Sequence, residues 1–360
     1  MPSAFDVVVV PDFSTPAGAR VFAARTLFFL GSWREHAGGA ARRFPLHLVC
    51  IGEPPAGVRR LAERCGATVH VREPLRQGRS VTINKLRGLE IGDGEPGGRT
   101  LLVDADVFVL GDFRALADEV PAGIAAAPAG SKWVTEAHWQ RVYAEFGLPL
   151  AATGRAPTLP YELGLVPARA ARVREYGATT DLRRALPYHN TGVVLVPRDA
   201  GLRGLWADHQ ARIRAMFEGG GGPPVRTWLD RLRRRGRGGL RAVTTCDQAG
   251  FASAVETLRG RGVPFRRLPD AYHARRVHSQ AGALTLDDTK IHHATGFLRG
   301  WDGASGTLPA AVGRYVRDWQ EDIRAGASRR GQPTGVQAEA ERVGTLLRSL
   351  LDRYVLPALD

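Results

Sequence analysis

Thr100-Leu101-Leu102-Val103-Asp104-Ala105-Asp106-Val107-Phe108-Val109 is the stretch on which the reading of this chain turns. A short apolar run entering a polar turn has the make-up of a buried strand, and ligands of open α/β sheets bind where such strands leave the sheet. Asp104 and Asp106, separated by the small Ala105, can both turn toward one hard cation at that edge. Taken alone, however, Asp-x-Asp reads first as an ordinary strand-end turn.

Working outward, residues 7–10 form a second apolar run stopped by Pro11-Asp12, and residues 19–33 have helical apolar spacing. Residues 46–51 repeat the strand pattern. A helical stretch over 58–65 follows, Gly66 terminates it, and a strand over 67–71 comes next. Residues 84–91 read as helical and 92–98 as a polar turn, while 124–127 and 193–196 add strands. Strands alternating with helices predict an α/β protein built on a parallel sheet.

Residues 131–189 are irregular and aromatic, the character of a substrate-covering insertion or of surface helices with buried aromatics. Residues 219–224 are a Gly-Pro loop. The densest basic run, 231–241, is a solvated face or a contact to a phosphate-bearing acceptor or membrane surface. After a helix over 310–324 and a polar linker, Val343, Leu346, Leu347, Leu350, Leu351 and Tyr354 fall on one helical stripe, which must pack on the domain or on a partner.

The chain has 360 residues, a formal charge of +14 and 44% hydrophobic residues, which is the make-up of a globular protein. No run approaches the roughly 18 apolar residues of a membrane span, and residues 1–6 carry no basic leader, so a soluble, unsecreted, cytoplasmic protein is expected. Cys50, Cys65 and Cys246 are the only cysteines and lack metal-type spacing, which fits a reducing compartment. Only Lys85, Lys132 and Lys290 are lysines, so nearly all the positive charge is arginine, the pattern of a compositional bias. With no helix-turn-helix, zinc-finger or aromatic RNA-binding signature beside it, no nucleic-acid partner is expected.

Three further motifs give the Asp-x-Asp its weight. His189-Asn190-Thr191-Gly192 leads into a strand, Cys246-Asp247-Gln248 begins an apolar helical run, and Ile291-His292-His293-Ala294-Thr295-Gly296-Phe297-Leu298-Arg299-Gly300-Trp301 follows downstream. In order and spacing these resemble the nucleotide-sugar glycosyltransferases of the GT-A fold, most closely the retaining family that contains glycogenin and bacterial lipopolysaccharide galactosyltransferases. The resemblance spans roughly residues 5–301. It implies a Rossmann-like, mixed, mostly parallel sheet flanked by helices, with a catalytic domain over 1–301, an acceptor-side insertion over 131–189 and a C-terminal helical extension over 302–360.

Position by position, the resemblance implies that Asp12 contacts the nucleobase and Lys85 the diphosphate. Asp104, Ala105 and Asp106 form the metal-binding turn, and His293 supplies the third ligand. Asn190 and Thr191 fall at the donor sugar, Asp247 and Gln248 beside the anomeric carbon, and Gly296, Arg299 and Trp301 in the closing loop. Leu268-Pro269-Asp270-Ala271-Tyr272-His273 is similar to the family's Leu-Pro-x-x-Tyr-Asn strand. Thr191, Arg299 and Gly300 depart from the family's Ala, Lys and Pro; Arg for Lys keeps a charge that suits a phosphate. The spacing to Gly296 and Trp301 favours His293 over His292 as the ligand.

The chemistry is coherent on its own terms. A departing nucleoside diphosphate gathers negative charge that a divalent cation, Lys85 and Arg299 would neutralise. Two carboxylates and an imidazole suit Mn²⁺, with Mg²⁺ as a weaker substitute. The expected activity is metal-dependent transfer from a nucleotide-sugar, a UDP-sugar by the family's usage, to a hydroxyl of a glycan, small molecule or protein, with retention of configuration. The Glu321-Asp322 pair, which an inverting enzyme could use as a base, sits in a charged helical stretch and reads as a solvated face. The alternatives are a sugar-phosphate nucleotidyltransferase, whose Gly-rich phosphate loop is replaced here by Pro11-Asp12-Phe13-Ser14-Thr15-Pro16, and a silent sugar-nucleotide or glycan-binding module. Peripheral membrane or partner contact would fall to loop 231–241 or the C-terminal helix.

Overall fold

The apolar runs of the N-terminal half become parallel neighbours in the computed structural model: β1 (Asp6–Val9), β2 (Leu46–Ile51), β3 (Thr68–Arg72) and β4 (Arg99–Val103). Then come β5 (Val107–Val109), β6 (Ile124–Pro128), β7 (His189–Pro197), β8 (Phe265–Arg267) and β9 (Ile291–His293). The structure describes residues 5–75, 82–128, 136–148, 189–218, 246–276, 279, 284–294, 297–298, 300–301, 303–330 and 335–359. Seven strands form one sheet in the order β3-β2-β1-β4-β7-β6-β8, and β5 pairs with β9 in a second, two-stranded sheet. Only β7 runs against its neighbours, so the large sheet is mixed and mostly parallel.

Helices cover both faces: α1 (Pro16–His36), α2 (Gly39–Arg43), α3 (Ala56–Arg64), α4 (Leu116–Glu119), α5 (Glu136–Glu145), α6 (Leu202–Glu218), α7 (Cys246–Gly260), α8 (Leu308–Arg330), α9 (Val336–Leu350) and α10 (Leu356–Leu359). The alternation of a strand decides which face each side chain serves. Val7, Val9, Leu101, Val103, Val193 and Leu195 pack into the core under α1 and α3, whereas Val8, Leu102, Val194 and Val196 pack with Leu86, Trp206 and Phe251 on the other face. Full burial of side chains such as Phe28 and Leu195 contributes roughly 1.5–3 kcal/mol each.

Local chemistry sets the element ends nearest the site. Thr15, in extended conformation, caps α1 by accepting the Gly18 N–H at 3.2 Å, and Pro16 occupies the first turn, where a missing N–H costs nothing. The helical segment expected over 84–91 is a 3₁₀ helix, Thr82–Glu90. In β7 the pairing with β6 jumps from Ala126↔Val194 to Ala127↔Asn190, so residues 191–193 bulge out of register.

One expected strand is absent. Residues 268–273 do not form one: the strand is Phe265–Arg267, and Asp270–Tyr272 is a single 3₁₀ turn. Pro269 has no N–H for a ladder, and the turn closes with the His273 N–H donating to the Asp270 carbonyl at 3.1 Å. Among the described residues no helix is long and apolar enough to cross a membrane. The basic run 231–241 and most of 131–189 lie outside the described residues.

The C-terminal stripe packs on the domain itself. Val343, Leu347, Leu350, Leu351, Tyr354 and Val355 are buried in the same core as α1. A Cβ on Gly31 of α1 would lie 2.9 Å from the Tyr354 ring, so that helix face is shaped to the tail. Asp322 accepts from Arg276 Nε at 2.6 Å, which corrects the solvated reading for that residue, while Glu321 is exposed.

Candidate active site

β4 ends at Val103, and the chain turns through Asp104-Ala105-Asp106 before entering β5 in the second sheet. The two carboxylates therefore stand where the chain crosses between sheets. β5 pairs antiparallel with β9, setting Val107 opposite His293, and strand alternation then sends successive histidines to opposite faces. His292 turns into the core, where it stacks on Trp319 at 3.9 Å and meets the Tyr315 hydroxyl at 3.0 Å. His293 turns the other way: its Nε2 lies 3.4 Å from Asp106 Oδ1 and 3.8 Å from Asp104 Oδ2.

Asp104, Asp106 and His293 each offer a ligand atom, all within 4.8 Å of one another, and no other such cluster occurs among the described residues. Two carboxylates and an imidazole, with no thiolate, fit a divalent cation. Space for the imidazole comes from Gly192, where a Cβ would fall 2.2 Å from His293 Cε1. The Asp104 N–H donates to the Gly192 carbonyl at 2.8 Å, which ties the β7 bulge to the carboxylate turn.

Lys85 reaches this centre from the 3₁₀ helix. Its ammonium lies 2.7 Å from Asp104 Oδ1 and donates to the Thr191 hydroxyl at 3.0 Å. Burial works against the ammonium, but the charges of Asp104, Asp247 and Asp106 outweigh it and raise its pKa above the ordinary lysine value. Burial likewise opposes ionisation of Asp106, yet its hydrogen bond to His293 and the cations Arg25 and Lys85 hold that carboxyl below the usual range. Asp247, on the first turn of α7, is pushed up by burial, with Lys85 pulling the other way. Gln248 beside it is half-buried.

Asp12 is buried and fully engaged. Oδ1 accepts the Ser14 N–H at 3.0 Å and the Ser14 hydroxyl at 2.5 Å, and Oδ2 accepts from Asn84 Nδ2 at 2.7 Å. It thus ties the end of the first strand to the helix that carries Lys85. Asn190 turns inward, its Oδ1 accepting the Gly192 N–H at 2.7 Å. Gly296 and Arg299 lie outside the described residues. Trp301 is buried and donates from Nε1 to the Ala304 carbonyl at 3.0 Å.

Two residues join this constellation without having been singled out, Asn84 and Arg25, and His273 joins it from the stretch 268–273. Asn84 clamps Asp12 and also accepts the Leu75 N–H at 2.7 Å; its place next to Lys85 was the available signal. Arg25 projects from α1 to within 3.9 Å of Asp106 Oδ2, and nothing in the sequence separates it from the chain's many other arginines. His273, at the end of the 3₁₀ turn, lies 3.1 Å from His293 Nδ1.

Among solved structures, the chain is similar to mouse xyloside xylosyltransferase 1 in its apo form, at 14% identity over 80% of this chain and 96% of that one, with a TM-score of 0.41. It is also similar to two structures of the glycosyltransferase GlyE of Streptococcus pneumoniae TIGR4, at 13% and 14% identity and TM-scores of 0.38 and 0.40. Both matches cover 90% of this chain but only 63% of GlyE. No protein-family model and no curated protein matches the sequence.

Proposed function

We propose that the chain is a metal-dependent glycosyltransferase that moves a sugar from a nucleoside-diphosphate sugar, a UDP-sugar by the family resemblance, to a hydroxyl acceptor with retention of anomeric configuration. The observation that carries the reading is the meeting of Asp104, Asp106 and His293 beside the half-buried ammonium of Lys85, at the end of a central strand. When bound by those three side chains, a divalent cation supplies positive charge against a leaving diphosphate.

The protein's own groups account for the rest. Lys85, kept charged by three carboxylates, neutralises phosphate oxygens, and its bond to Thr191 fixes its direction. Asp12 and Asn84 shape the nucleobase side. Asp247, buried at the start of α7, stands on the sugar side with Gln248. There the carboxylate stabilises positive charge on the sugar or forms a transient bond to it, while the acceptor's proton passes to the departing phosphate on the same face. Acceptor contacts are assigned to 131–189.

Sugar-nucleotide hydrolysis and binding across a donor panel, with and without Mn²⁺, tests the reading. Turnover of a UDP-sugar that requires Mn²⁺ and vanishes in Asp106→Asn is expected; undiminished turnover by that variant in excess EDTA would overturn it. NMR of the first product from an α-linked donor should show an α-linkage. Asp247→Asn should cost far more in rate than in donor affinity.

A further inference from the structure

His273 is fully buried, and its Nε2 lies 3.1 Å from His293 Nδ1 and 3.1 Å from Asn190 Oδ1. His293 thus divides its ring: Nδ1 faces His273 inside the protein, and Nε2 faces the two carboxylates. The orientation of the Asn190 amide follows from a third contact, since the Gly192 N–H at 2.7 Å requires an acceptor there. Asn190 Oδ1 is therefore an oxygen facing His273 Nε2.

An oxygen and a bare ring nitrogen at that distance repel, so His273 Nε2 carries a proton and shares it between Asn190 Oδ1 and His293 Nδ1. His293 Nδ1 is then an acceptor, and the proton of its neutral ring sits on Nε2, toward Asp106 at 3.4 Å. A protonated nitrogen has no lone pair for a metal. For Nε2 to ligate, the His293 proton has to stand on Nδ1 and be donated to His273 Nε2, whose own proton then belongs on Nδ1. Each ring carries one proton in both arrangements; only the positions change. In the second arrangement Asn190 Oδ1 faces a bare nitrogen, and the contact between Asn190 and His273 becomes unfavourable.

From this we infer that His273 is a positioning residue: its Nε2 accepts the His293 Nδ1 proton in the arrangement that frees Nε2 of that ring to ligate, and cation binding there releases Asn190 from His273. The inference rests on the proposed metal-dependent reading. It makes the β7 bulge, which also carries Thr191 and its bond to Lys85, responsive to the cation.

Mn²⁺ affinity, measured by the electron paramagnetic resonance of free Mn²⁺, tests it in the full chain. His273→Leu should weaken Mn²⁺ binding about 10- to 100-fold, the usual loss when the partner of a ligating histidine is removed. His273→Gln, which can accept from His293 Nδ1, should recover most of that loss, which a purely structural role would not produce. A folded His273→Leu protein with the wild-type dissociation constant overturns the inference alone, whereas a wild-type protein that binds no Mn²⁺ overturns the functional reading with it. Nitrogen-15 spectra of the histidine rings in wild-type protein in EDTA give a check that needs no variant. His293 protonated on Nε2 is expected, and His293 protonated on Nδ1 would overturn the inference.

Discussion

Arg25 and Phe297 are 272 residues apart, yet the Arg25 guanidinium grips the Phe297 carbonyl with two N–H groups, at 3.2 Å from Nε and 2.6 Å from Nη2. The same side chain places Nη1 3.9 Å from Asp106 Oδ2. One helix-borne cation thus binds both the carboxylate turn and the backbone just after β9, where Leu298 is held at φ 57, a left-handed conformation that a branched side chain resists.

Arg25→Met should therefore cost both stability and donor turnover. Hydrogen bonds to a charged group contribute about 1.5–3 kcal/mol to stability, the loss expected in urea unfolding, and kcat/KM for the donor should fall as the carboxylate turn loses its brace. Arg25→Lys, which keeps the charge but loses the fork, should recover only part. Wild-type kinetics in Arg25→Met would deny the link.

Gly192→Ala tests the space behind the imidazole. The added methyl would fall 2.2 Å from His293 Cε1 and 2.4 Å from Nδ1, so the ring has to leave the position in which Nε2 faces the carboxylates. Calorimetry should show Mn²⁺ affinity reduced at least about 10-fold, the loss typical of a disturbed ligand shell. Unchanged affinity would mean that the ring does not hold the cation.

Acid sensitivity should come partly from His209, far from this chemistry in sequence. It stacks on Phe146 with ring centroids 3.7 Å apart, and its Nδ1 lies 2.9 Å from the Ser253 hydroxyl. Burial lowers its pKa from 6.5 to about 4. Because the unfolded chain takes up the proton first, stability should fall as pH drops from about 6.5 toward 4, by up to about 3 kcal/mol for a shift of that size. Thermal midpoints should fall more steeply with acid across that range in wild type than in His209→Gln, which lacks the imidazole; parallel curves would contradict the assignment.

The C-terminal helix should be integral to the fold. Leu347 is fully buried, and Leu347→Ala should cost about 2–5 kcal/mol in urea unfolding while leaving donor affinity unchanged. A loss below about 0.5 kcal/mol, the level of an exposed site, would place the stripe on the surface instead.

Sequence by itself determined most strands of the large sheet, because short apolar runs such as residues 100–103 stand out and Pro, Gly and Asp mark their ends. The carboxylate turn was legible for the same reason: Asp104 and Asp106 are neighbours in the chain, so their meeting needs no knowledge of the fold. The choice of His293 over His292 rested on spacing to Gly296 and Trp301, and strand alternation gives it a physical basis, since adjacent residues of β9 must face opposite ways. Only the tertiary structure brought Arg25 to Asp106, Asn84 to Asp12 and His273 to His293. Each of those contacts joins segments separated by at least 20 residues, through side chains that local periodicity does not distinguish from solvated ones. The expected strand over 268–273 failed for a related reason: an apolar-aromatic pattern fits a turn as well as a ladder, and Pro269 with the Asp270 turn decided between them.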